Sequence, residues 1–141
     1  MKRLGSSVLL VAALVAAGCS DSAEEGPLDG TWEVVEVDGQ SIVPGDNTVS
    51  PPYFEIGDGR ADGSLGCNDG GAPLDVTERV IDFGALERTE QACDIAVSFA
   101  EMALVDVIAD GIVEWSRDGD RMIWVAAGRQ IVLEPIDGPP A

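Results

Sequence analysis

The chain of 141 residues contains no histidine, and its only lysine is Lys2. A serine nucleophile would lack its usual base, and a cysteine would lack the imidazole that makes it a thiolate. Carboxylates cannot fill the gap by themselves. With 26 Asp and Glu in so short a chain, a close pair is expected by chance and marks no general acid or base. The reading is therefore a protein that is not an enzyme. Missing histidine, together with the absence of any CxxC pair, also removes the common zinc-binding sets. Gly57-Asp58-Gly59 lacks the third glycine of a dinucleotide fingerprint, and no helix follows it to receive a pyrophosphate. No catalytic, cofactor or metal residues are expected, and no cofactor.

Long apolar runs are scarce too. Val8 to Ala17 is apolar but falls short of the ~20 residues a membrane-spanning helix needs. It follows the basic pair Lys2-Arg3 and leads through small residues to Ala16-Ala17-Gly18-Cys19. This is the layout of a secretory signal, and it resembles a bacterial lipoprotein signal in which residues 1–18 are removed and Cys19 receives the lipid. An ordinary signal peptide with a leftover cysteine is the other reading. Lipidation at Cys19 would place the protein on the cell membrane, lipid-anchored through fatty acids such as palmitate, on the extracytoplasmic face.

Loss of residues 1–18 leaves six arginines against all 26 acidic side chains, from a whole-chain formal charge already at −18. A surface that acidic repels nucleic-acid phosphates, so no nucleic acid is expected as a partner; cationic partners suit it better. Two cysteines remain after Cys19. In an exported chain Cys67 and Cys93 read as one disulfide, enclosing 26 residue steps and stabilising by about 3–4 kcal/mol. Two buried free thiols are the alternative.

Ser20 to Pro27 is small and acidic, so residues 19–27 read as a flexible tether. Thr31 to Val37 is a strand by its β-branched and aromatic content, with Trp32 and Val34 on one face, and Asp38-Gly39 is a hairpin turn. Pro44 to Pro52 reads as a loop. Tyr53 to Ile56 and Arg60 to Cys67 form a second hairpin around Gly57-Asp58-Gly59. Asn68 to Pro73 reads as another loop, followed by short strands at Leu74 to Val76 and Val80 to Phe83. Asp94 is placed to cap a helix running to about Ala109. Ala96, Phe99, Ala100, Ala103, Leu104, Val107 and Ile108 make its apolar face, with Ser98, Glu101 and Asp106 opposite. Ile95, Met102 and Val105 fall among the polar positions, making this helix greasier than one-sided packing requires. Strands at Ile112 to Ser116, Met122 to Ala126 and Ile131 to Glu134 close the chain, with Trp115 and Trp124 expected in the core.

Asp58 to Asp69 partly matches a calcium loop at its first, fifth, sixth, eighth and twelfth positions, but Arg60 stands at a ligand position and the flanks read as strands. A β-turn and a Gly-rich strand account for it better.

LDGTWEV near the mature start, GSLGCN at 63–68, TEQAC at 89–93 and WSRDGDRMIWV near the end occur in an order that resembles the META domain family of HslJ-like bacterial lipoproteins. The resemblance covers about residues 28–135, with Gly66-Cys67-Asn68, Thr89 and Cys93 as its most specific parts. It departs at Asp69-Gly70-Gly71, where an aromatic is common, and at Asp94, where a proline is common. It implies an α+β fold: a small curved antiparallel sheet or partly open barrel packed on one main helix. Residues 136–141 are expected to be a disordered tail. One reading, in keeping with the family's association with envelope stress, is a membrane-tethered monomer whose acidic face or exposed sheet edge docks another envelope protein. The alternative is a carrier that holds an apolar ligand or lipid between sheet and helix.

Overall fold

The computed structural model describes residues 24–43 and 51–140. The expected signal peptide, Cys19, the first part of the tether and most of the Pro44 to Pro52 loop lie outside these residues. Ten strands and one helix follow in the order β1 (Gly30–Val37), β2 (Gln40–Ser41), β3 (Tyr53–Gly57), β4 (Arg60–Ser64), β5 (Asp69–Val76), β6 (Val80–Phe83), β7 (Glu87–Arg88), α1 (Ile95–Asp110), β8 (Ile112–Asp118), β9 (Arg121–Ala126) and β10 (Arg129–Ile136).

Eight of these strands form a closed antiparallel barrel in the order β1-β3-β4-β5-β6-β8-β9-β10. The ring is sealed by β10 against β1, in register from Thr31 with Ile136 to Val37 with Ile131. The two-residue strands β2 and β7 are additions to β1 and β5. This corrects the expected α+β architecture: the sheet is neither open nor laid on a helix. Closure satisfies the backbone groups of both would-be edges, and the period-two apolar residues of all eight strands then point into one shared interior. Phe54, Trp124, Met122, Ile131 and Leu133 are fully buried there, and Trp124 packs against Phe54 and Phe83 at ring-centroid distances of 5.6 and 5.5 Å.

Local chemistry explains the staves. Asp38-Gly39, Asp58-Gly59 and Ala127-Gly128 all have positive φ at both residues, the requirement of the tight hairpin turn whose twist matches the strands it joins. A register shift between Val34 and Glu36 against β10 is a β-bulge, and it turns Val37 inward after Trp32 and Val34. Of the Asn68 to Pro73 stretch expected as a loop, only Asn68 is in a turn; Asp69 to Pro73 is the first part of β5 and pairs with β4 from Asp69 with Ser64 to Pro73 with Arg60. A Cβ on Gly70 would sit 2.9 Å from a Leu65 methyl and 3.0 Å from the Glu87 carbonyl oxygen. The missing side chain is what lets β7 lie flat on β5.

The two barrel ends are closed differently. Antiparallel order brings the ends of β1, β4, β6 and β9 together with the starts of β3, β5, β8 and β10, and α1 seals this end. Ala103, Leu104, Val107 and Ile108 of the helix join the core cluster. At the other end Leu28 is buried, the Trp32 indole N–H donates to its carbonyl at 2.8 Å, and the Arg117 guanidinium lies 4.8 Å over the Trp32 ring. Arg117 also donates to the Pro27 carbonyl at 2.8 Å, which pins the entering chain. Trp115, expected in the core, is only half-buried, and its indole N–H donates to the Thr77 carbonyl at 2.9 Å.

Candidate functional site

The segment that resembles the family most specifically folds into a buried polar clasp at the helix end of the barrel. After β4 the chain turns tightly through Leu65-Gly66-Cys67-Asn68. The Leu65 N–H donates to the Asn68 carbonyl at 2.7 Å, and Gly66 holds φ at 116°, a conformation open to glycine and strained for other residues. The turn aims the Asn68 side chain inward, where the residue keeps only 3% exposure.

Every polar function of that amide is used. Its oxygen accepts from the Gln91 N–H at 2.6 Å and the Thr89 hydroxyl at 3.1 Å. Its nitrogen donates to Glu101 Oε1 at 2.8 Å, while the Asn68 backbone N–H donates to Glu101 Oε2 at 3.3 Å. Arg88 adds a third hydrogen bond to this carboxylate, with Nη1 3.0 Å from Oε1. Thr89 is stitched to the start of β5 by its own N–H, which donates to the Asp69 carbonyl at 3.0 Å. A carboxylate buried to 6% exposure would be costly without such partners; with an ion pair and two further donors its desolvation is offset.

A disulfide joins Cys67 to Cys93 with Cα atoms 5.9 Å apart. It fixes the residue just before Asp94 and α1 to the same turn that carries Asn68. Asp94 occupies the expected cap position but makes no side-chain cap hydrogen bond; instead the Ser98 hydroxyl and N–H both donate to its carbonyl at 3.0 Å. The far shoulder of the helix is held by Arg129, which donates to Asp106 at 3.0 Å and to Asp38 at 2.8 Å. The hydrogen bond from Arg129 to Asp38, with another from the Gln130 N–H, holds the Asp38 carboxyl below its ordinary value.

With Glu101 and Asp106 tied down on either side, the arc between them faces outward. It carries Ile95 and Met102, 90% and 61% exposed. Val105 lies at its edge beside an open groove of about 550 Å³ between the helix and the Phe83 to Leu86 segment.

Sequence reasoning placed Glu101 on the solvent side of the helix; it is a buried member of the clasp. The available signal was its place on the helical wheel between Ile108 and Val105, both apolar. The calcium-like pattern resolves into a hairpin. Asp58 sits in the turn, Asp62 is held by Arg60 through Nε at 3.2 Å and Nη2 at 3.0 Å, and Asp69 belongs to β5. Among the described residues no group of three or more His, Cys, Asp or Glu side chains is placed to share a metal ion. Cys19 lies outside them.

These features define a small closed β-barrel, plugged by one helix and clasped at the plugged end by a disulfide and a buried Asn-Glu-Arg network. The family model of the META domain matches residues 26–136, and the chain belongs to that family. Two NMR structures share the fold. One matches at a TM-score of 0.63 with 13% identity, over 75% of this chain and 88% of the other. The second, of a protein from Burkholderia xenovorans, matches at a TM-score of 0.59 with 18% identity, over 77% of this chain and 82% of the other. No curated protein matches the chain in sequence.

Proposed function

We propose that this META domain is exported, anchored to the membrane by lipid on Cys19, and works without catalysis as an interaction module of the cell envelope, in keeping with the stress association of its family. The observation that carries the reading is the use of the clasp: Asn68, Glu101, Arg88 and Thr89 spend their hydrogen bonds on one another and hold a helix in place, and only Arg88 and Thr89 reach the walls of open outer grooves. The barrel interior is occupied by Trp124, Phe54 and their neighbours, so recognition falls to the outer surface. A carrier of apolar ligands would have to use the open groove beside Val105 instead.

The disulfide suits an oxidising compartment outside the cytoplasm. Among the described residues no helix is long and apolar enough to cross a membrane, and the proposed attachment rests on Cys19. The test is fractionation of cells expressing the wild-type and Cys19→Ser proteins. Wild-type protein is expected in the membrane pellet and the variant in the soluble fraction; a variant that stays in the pellet overturns the anchor.

A further inference from the structure

Ile95, Ser98, Met102, Val105 and Ala109 follow one another along α1 at alternating steps of three and four residues, the spacing of a seam between two packed helices. None of them is fully buried. Among the described residues no element covers this stripe: the Arg88–Glu101 and Arg129–Asp106 pairs hold the shoulders of the helix, and the stripe lies between them. On the Val105 and Ala109 side it continues into the groove walled by Phe83 and Leu86, so a second helix laid along α1 would meet apolar surface beside the seam as well as on it.

Charge selects the occupant. The 16 residues of α1 include no lysine or arginine, the Arg88 guanidinium in the groove wall is paired with Glu101, and Glu90, Asp94 and Asp110 stand exposed at the two ends of the helix. A second copy of this chain would bring the same acids against one another within a net charge of −18. The bilayer that would hold Cys19 is also a poor match, because the chain enters at Leu28 and Trp32, the barrel end opposite α1. From the interaction-module reading, on which this step rests, we infer that the stripe docks an amphipathic helix of another protein, one that presents apolar side chains at heptad spacing flanked by lysine or arginine.

The test uses the full exported chain made soluble by Cys19→Ser. The probe is a synthetic helix of about three heptads with Leu at its apolar positions and Lys on the flanks. Its partners in the experiment are a scrambled peptide of the same composition, a Leu/Glu version, and neutral phosphatidylcholine vesicles. The Leu/Lys helix is expected to shift amide resonances within residues 83–86 and 95–109 and to bind more tightly than the scrambled peptide. Ile95→Gln with Met102→Gln is expected to weaken it at least about tenfold, while Val125→Gln, another exposed apolar residue, leaves it unchanged. Because Ile95 and Met102 are exposed, the double variant is expected to keep the wild-type melting curve. Equal binding by the double variant or the scrambled peptide, tighter binding of the Leu/Glu version, resonance shifts centred elsewhere, or vesicle binding through the stripe overturns the inference. So does a concentration-dependent dimer that the double variant abolishes. Cys19→Ser fractionation reads the anchor independently: loss of peptide binding with release of the variant intact overturns the stripe and leaves the anchor standing.

Discussion

The Asn68 side-chain nitrogen lies 2.8 Å from Glu101 Oε1, across 33 residues of chain. This hydrogen bond joins the turn after β4 to the middle of the plugging helix, and much of the barrel's integrity at that end follows from it. Replacing Asn68 with alanine strips the Glu101 carboxylate of one donor, leaves the Gln91 N–H without its acceptor, and leaves the Thr89 hydroxyl only the longer contact to the Asp69 carbonyl. The expected cost is about 3 kcal/mol, read as a lower urea midpoint with an unchanged slope.

Asn68→Asp tests the same contact by its charge. The new carboxylate would face Glu101, and two like charges so close raise the pKa of the pair in the folded state. Folded protein then binds more protons than unfolded, so the variant's stability is fullest at low pH and is lost as pH rises through the raised value. Urea midpoints for Asn68→Asp should therefore climb, relative to wild type, as pH falls from about 7 to 5. A variant that trails wild type by a constant margin would mean that the two carboxylates do not meet.

Opening the Cys67–Cys93 bridge removes the covalent tie before the helix. Cys93→Ser, or reduction with dithiothreitol, is expected to cost about 3–4 kcal/mol through the freed loop. Hydrogen exchange should accelerate first in the early turns of α1. Unchanged stability on reduction would place the helix under the control of Glu101 and Asp106 alone.

The opposite pH dependence is expected at Asp38. Arg129 and the Gln130 N–H depress its folded pKa, so its contribution is present above the unfolded value of about 3.9 and is lost as pH falls through the lower folded value. Asp38→Asn should flatten the acid limb of the stability curve below about pH 4 and leave the neutral region shifted only slightly, as befits a solvent-screened pair at the surface. An unaltered acid limb in the variant would count against this ion pair.

A comparison along α1 separates packing from display. Leu104→Ala, in the core, is expected to lose 2–5 kcal/mol. Met102→Gln, on the outer stripe, should stay within about 0.5 kcal/mol of wild type. Comparable losses at both positions would mean that the stripe is covered.

Much of this architecture was legible in the chain. Asp-Gly pairs flanked by β-branched runs gave the hairpins after β1 and β3, and the helix expected from Asp94 to about Ala109 forms at Ile95–Asp110. The first half of β5 was not legible, because Gly70-Gly71 and Pro73 carry the chemistry of a turn; they tolerate a strand here because β7 lies against the glycines. Closure of the barrel was hidden for a different reason. It depends on pairing Thr31 with Ile136, residues at opposite ends of the domain, and no local pattern records that contact. Glu101 was misplaced because a charged residue is assigned to water by default; only Asn68 and Arg88, brought from elsewhere in the sequence, make its burial tolerable.

Intact-protein mass spectrometry of material purified from membranes reads the lipid anchor and the disulfide in one spectrum. The expected species begins at Cys19, carries an acyl modification there, and is lighter by the two hydrogens that the Cys67–Cys93 bond removes. A chain that begins elsewhere, lacks the acyl mass, or alkylates at Cys67 and Cys93 without prior reduction would contradict the anchored, disulfide-bonded form.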